Sequence, residues 1–135
     1  MLVVDSSVVI AGFASWHENH KAAQEVLAES PRLVAHAALE SYSVLTRLPP
    51  PHRAPASLVH EFLEEAFPGA WLTLPPASHR RLIADLTEAA VTGGAVYDAL
   101  IASVASSHKA TLASCDHRAQ RTYEAVGVAV QFVGG

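Results

Sequence analysis

The chain is poor in cysteine, poor in charge and free of long hydrophobic runs. Among its 135 residues Cys115 is the one cysteine, which excludes an intrachain disulfide framework and a cysteine-based zinc site built within one chain. Charged residues make up 16% and leave a net charge of −4. A surface for non-specific duplex binding needs the opposite sign, so a nucleic-acid partner would have to be held by local basic residues or metal ions. No apolar stretch approaches the roughly 18–20 residues that span a bilayer, and the amino-terminal MLVVDSSVVI lacks the basic segment of a signal peptide. The expectation is a cytoplasmic protein with no membrane partner.

Half of the residues are apolar, enough to fill a core, and the length suits one domain spanning residues 1–135. Short apolar runs at 2–4, 32–35, 70–74, 110–114 and 128–133 read as five strands. Helical spacing is found at 17–30, 37–48, 56–67, 78–91, 97–108 and 116–126, with Pro49, Pro50 and Pro51 closing the second of these. Strands alternating with helices are the pattern of a mostly parallel sheet covered by helices on both faces, an α/β fold.

The chain has four aspartates, Asp5, Asp85, Asp98 and Asp116. Asp5 and Asp116 directly follow strands. In open α/β sheets the carboxyl ends of strands meet the amino ends of the following helices at one edge, where ligands bind. Glu40, expected in the first turn of the helix after 32–35, reaches the same edge, and Asp98 opens a helix that the loop at 93–96 brings there. Each acid alone reads as a helix cap. Together they repel, and a cation that neutralises them is a reason for them to converge. An all-oxygen set suits Mg²⁺ or Mn²⁺ rather than Zn²⁺, and such sites hydrolyse phosphodiesters.

The strings VVDSSVVI (3–10), HAALESYSVLTRLP (36–49), AVYDALIASVA (95–105) and TLASCDHRAQ (111–120) resemble, in order, the motifs of PIN-domain ribonucleases, in particular the VapC toxins of toxin–antitoxin pairs. The resemblance spans nearly the whole chain. It implies a PIN-like three-layer sandwich with Asp5, Glu40, Asp98 and Asp116 as the catalytic and metal-holding acids. It further implies an Mg²⁺- or Mn²⁺-dependent endoribonuclease acting on RNA, a homodimer, and neutralisation by a VapB-type antitoxin in a heterotetramer or larger assembly. Ser6 and Ser114 stand where such proteins have hydroxyls that orient the acids.

Arg47, Arg53, Arg118 and Arg121 fall in segments near the acidic edge and are candidates for phosphate contact. The helices at 37–48 and 56–67 are richer in apolar residues than a monomer of this size needs, which points to a partner surface. Three other readings fit less well. A haloacid-dehalogenase-like phosphatase needs a second aspartate where Ser7 stands, a receiver domain needs a lysine after a late strand, and HENH (17–20) is not the HExxH of zinc proteases. A non-catalytic PIN-like binding module is the remaining alternative.

Overall fold

The computed structural model describes all 135 residues. Strands β1 (Leu2–Val4), β2 (Arg32–Leu33), β3 (Thr111–Ser114) and β4 (Ala129–Phe132) form one sheet in the order β2-β1-β3-β4, and every pairing is parallel. Seven helices flank it: α1 (Ser6–Phe13), α2 (His20–Leu27), α3 (Ala35–Arg47), α4 (Ala56–Ala66), α5 (His79–Glu88), α6 (Ala95–Ser107) and α7 (Gln120–Val126). The α/β class read from the sequence is the class observed.

The central strands have no polar face. Val3, Val4, Leu112 and Ala113 are fully buried, as expected where helices cover a parallel sheet. Leu2 pairs with Thr111 and Val4 with Ala113, so the two central strands come from opposite ends of the chain. They anchor a continuous core of 28 buried residues, in which Leu33, Leu45, Ile101 and Tyr123 are among the largest fully buried side chains. Truncating such a leucine to alanine costs about 2–5 kcal/mol.

The expected strand at 70–74 is not a strand. Its contribution is one parallel bridge, Leu72 with Val34. Gly69 before it and the pair Pro75–Pro76 after it limit the extended run, and proline cannot extend a ladder. The helix expected over 17–30 also begins later than its spacing suggested, at His20, which leaves His17, Glu18 and Asn19 in the loop between α1 and α2.

Local chemistry sets the helix ends that frame the edge. Asp5 caps α1 by accepting from the Val8 amide, and Asp116 caps a short 3₁₀ turn, His117–Ala119, by accepting from the Arg118 amide. Gly127, with φ of 84°, ends α7 in the left-handed conformation that favours glycine. Helix α2 lies hard against α1: a Cβ on Gly12 would fall 2.5 Å from Leu27 Cδ1. His20 Nδ1 donates to the Ala11 carbonyl at 2.8 Å and locks the two helices together.

Candidate active site

In the order β2-β1-β3-β4 the chain leaves β1 to one side for β2 and later returns on the other side for β3. This reversal is a topological switch point, where the connections part and open a crevice at the carboxyl ends of the strands. Asp5 follows β1 and Asp116 follows β3, so the two acids flank that crevice.

Asp5 is 2% exposed and held from three directions. Its Oδ1 accepts from the Ser7 hydroxyl at 2.5 Å and from the Val8 amide at 3.3 Å. Its Oδ2 accepts from the Tyr123 hydroxyl at 2.6 Å. The Ser7 oxygen in turn accepts from the Cys115 amide at 2.7 Å and lies 3.4 Å from Ser114 Oγ, which accepts from the Asp116 amide at 3.0 Å. One short chain of hydroxyls therefore stitches the ends of β1 and β3 together. Ser114 is fully buried and sits between Ser7 and the Asp116 amide. The position after Asp5 needs a correction: Ser7, one residue beyond Ser6, makes the hydroxyl contact, because the capping geometry of α1 turns it back onto Asp5.

Glu40 and Asp98 complete the acidic edge. Glu40 sits in the second turn of α3, not the first, because that helix starts at Ala35, and Asp98 is the fourth residue of α6 rather than its first. Burial, with the charges of Asp98 and Asp5 added, raises the Glu40 carboxyl to about 7. Burial, with Asp116 and Asp5 added and Arg118 opposing, raises Asp98 to about 6. Burial also pushes Asp5 upward, against the donors around it. The acids thus feel one another, and all three resist ionising for want of positive charge. Glu40 Oε1 is buried and has no hydrogen-bond partner; His36 Nε2 lies 3.9 Å from it, but burial lowers the pKa of that imidazole and disfavours its charged form. No three of these groups close into a ready-made metal cage.

The arginines divide. Arg118 Nε lies 3.4 Å from Asp116 Oδ1, so Arg118 is at the edge. Arg47 closes α3 roughly 10 Å along the axis from Glu40 and donates to Ser43, Arg53 donates to the Leu48 carbonyl, and Arg121 is an exposed residue of α7. Sequence reading missed two features. Tyr123 on α7 donates to Asp5, and the stack of His36 on Tyr97, centroids 5.0 Å apart, joins α3 to α6 beside Glu40. The Cys115 thiol is half-buried and raised to about 11, chiefly by burial, which makes it an unreactive filler.

A parallel sheet that gathers carboxylates at its switch point is the arrangement of an acid-centred α/β protein, and residues 2–125 match the PIN-domain model. The chain belongs to the PIN-domain family. Within that family it is similar to Ribonuclease VapC40 of Mycobacterium tuberculosis, 48% identical over 133 residues that cover 98% of this chain and 99% of the relative. It is also similar to Ribonuclease VapC27 of the same species, 42% identical over 130 residues covering 96% and 94% of the two chains. The fold is shared with FitAB bound to a DNA fragment, at a TM-score of 0.70 and 20% identity over 98% of this chain and 94% of the other. It is shared as well with FitAcB of Neisseria gonorrhoeae, at 0.69 and 22% over 96% of each. No helix is long and apolar enough to cross a membrane.

Proposed function

We propose that the chain is a VapC-type toxin, a divalent-metal-dependent endoribonuclease that hydrolyses phosphodiester bonds of RNA through Asp5, Glu40, Asp98 and Asp116. The observation behind this reading is the orphaned Glu40 Oε1 beside acids held above their ordinary range. Half-buried carboxylates in that condition are short of positive charge, and an all-oxygen donor set fits Mg²⁺ or Mn²⁺.

When bound, such an ion supplies charge neutralisation at the scissile phosphate and Lewis-acid activation of the attacking water. The protein's part is to hold its ligands still. Asp5 Oδ1 is held by Ser7 and Val8, and Tyr123 donates to Oδ2, so Oδ2 is the less committed oxygen toward a cation. Burial and the Asp5 charge raise Tyr123 far above its ordinary range, which keeps the phenol protonated as a donor. Arg118, tethered by Nε to Asp116, leaves its terminal nitrogens to hold a phosphate.

The α3–α4 face supplies the partner site. Ala38, Leu39, Tyr42, Ala56, Leu63 and Trp71 line an apolar groove of about 570 Å³, which suits the apolar face of an antitoxin segment. The assembly we infer is a homodimer bound by a VapB-type antitoxin in the cytoplasm.

The test is cleavage of cellular RNA by the purified protein with Mg²⁺ or Mn²⁺, with EDTA, and with Ca²⁺, whose looser coordination supports activity poorly, followed by mapping of the new ends. Metal-dependent internal cuts that the neighbouring gene product suppresses are the expected result. Undiminished cleavage in EDTA overturns the metal assignment, and RNA binding without cleavage identifies a non-catalytic module instead.

A further inference from the structure

A second concavity of about 450 Å³ adjoins the acidic edge. Asp116, His117 and Arg118 form one wall, and His17, Glu18 and Asn19, from the loop between α1 and α2, form the other. Only two of its ten lining residues are hydrophobic, which suits neither an apolar helix nor a lipid. A cradle for phosphate alone would be lined by cations, whereas here Arg118 is the one guanidinium beside the carboxylates of Glu18 and Asp116. Mixed donors and acceptors match the edge of an unpaired nucleobase.

Two lining side chains are prepared for that task. The Asn19 amide N–H donates to His17 Nδ1 at 3.0 Å, which puts the proton of the neutral ring on Nε2 and leaves that nitrogen as a donor. Asn19 stands at the cap position of α2, where asparagine ordinarily bonds the helix, yet its side chain makes no cap hydrogen bond. Gly134 packs so closely on this amide that a methyl group there would collide with it. The amide is thus confined, with its donors and acceptor unspent on the helix. His20, by contrast, is committed to Ala11, which separates the two histidines of the HENH segment into one structural and one free.

Trp16, next in the chain to His17, is 48% exposed. Its ring lies 4.2 Å from that of His52 and 5.9 Å from that of His17, an aromatic surface on which single-stranded bases stack.

We infer that this groove seats the unpaired base of a nucleotide flanking the scissile phosphate, with the His17 Nε2–H and the Asn19 amide reading its edge. The inference rests on the ribonuclease reading above, and Asp116, common to groove and crevice, makes the two continuous.

The experiment has two arms. In the first, a random-sequence single-stranded RNA pool is cut by wild-type protein and by the Asn19→Ala and His17→Phe variants, and the ends are sequenced. The wild type selects one base beside the cut, and each variant flattens that selection roughly ten- to a hundredfold with a rise in KM. In the second, fluorescence anisotropy follows short labelled oligoribonucleotides on Asp98→Asn protein with and without Asn19→Ala. The added substitution weakens binding about tenfold for the selected base and little for the others. Variants with unchanged melting temperature that keep the wild-type base selection, or unchanged anisotropy, overturn the groove assignment. Base-selective binding by a wild-type protein that never cuts overturns the ribonuclease reading alone.

Discussion

At the carboxyl edge of the sheet, Asp5, Ser7, Ser114 and Tyr123 hold one another in hydrogen bonds of 2.5–3.4 Å, and Glu40 Oε1 is the buried side-chain atom left without a partner. On the α3–α4 face no buried side-chain polar atom lacks a partner, but Leu39, Tyr42 and Leu58 stand 69%, 40% and 50% exposed. Helix α3 serves both regions: Glu40 looks toward the edge, Leu39 and Tyr42 toward the groove, and Ala37, Ala38, Ser41 and Leu45 into the core. The edge lacks positive charge and the face lacks apolar cover. On the proposed function a small ion remedies the first and an antitoxin segment the second.

Substitutions should separate the two regions. Asp98→Asn is expected to lower RNA cleavage by about 10²–10³-fold or more while antitoxin still binds. A parallel loss of antitoxin affinity would show that the regions are coupled. Leu39→Asp is the converse: antitoxin affinity falls roughly ten- to a hundredfold, since a charge replaces an apolar anchor, while the free protein still cuts RNA. Calorimetric titration with the antitoxin's apolar segment measures it.

Tyr123→Phe sharpens the account of the edge. Removing the hydroxyl frees Asp5 Oδ2 and is expected to weaken Mn²⁺ binding by about 10–100-fold, read by electron paramagnetic resonance without RNA. Equal affinity in the variant would reduce Tyr123 to a packing residue.

A smaller effect follows from acidity. The folded-state values of Glu40, about 7, and Asp98, about 6, lie above their ordinary 4.5 and 3.8, so the folded protein binds more protons than the unfolded chain. Stability then decreases as pH rises. In metal-free protein the contribution is intact below about pH 4 and lost as pH climbs through about 6–7. The melting temperature in EDTA should fall across that window, Mg²⁺ should reverse the fall, and adding Mg²⁺ at pH 6.5 should release protons into a weakly buffered solution. A melting temperature independent of pH would show the acids to be better solvated than their burial implies. Smallest of all, Ser6→Ala should change cleavage by less than about twofold, whereas Ser7→Ala removes a donor to Asp5.

The acids could be found in the sequence because a strand followed by a carboxylate is a local pattern, and two such strands in a parallel sheet share an edge. Tyr123 could not, since its partner lies 118 positions away in the chain and an aromatic at helical spacing looks like any core residue. Ser6 and Ser7 are adjacent hydroxyls, and which one turns back onto Asp5 depends on the cap of α1 rather than on composition. The run at 70–74 shows the limit of periodicity: its residues favour a strand, but its neighbours leave room for one bridge.

The pairing of β1 with β3 has a consequence for how the protein comes into being. Leu2 waits for Thr111, and the acid edge draws on residues 5, 40, 98, 116 and 123. During synthesis the first strand emerges long before its central neighbour, so no shorter nascent chain can assemble the proposed site. Non-local parallel pairing of this kind also forms slowly. On the proposed function, a cell making this protein holds a harmless chain until residue 123 has been made and folded into place, and an antitoxin segment that meets α3 and α4 early can be in place before the cutting edge exists.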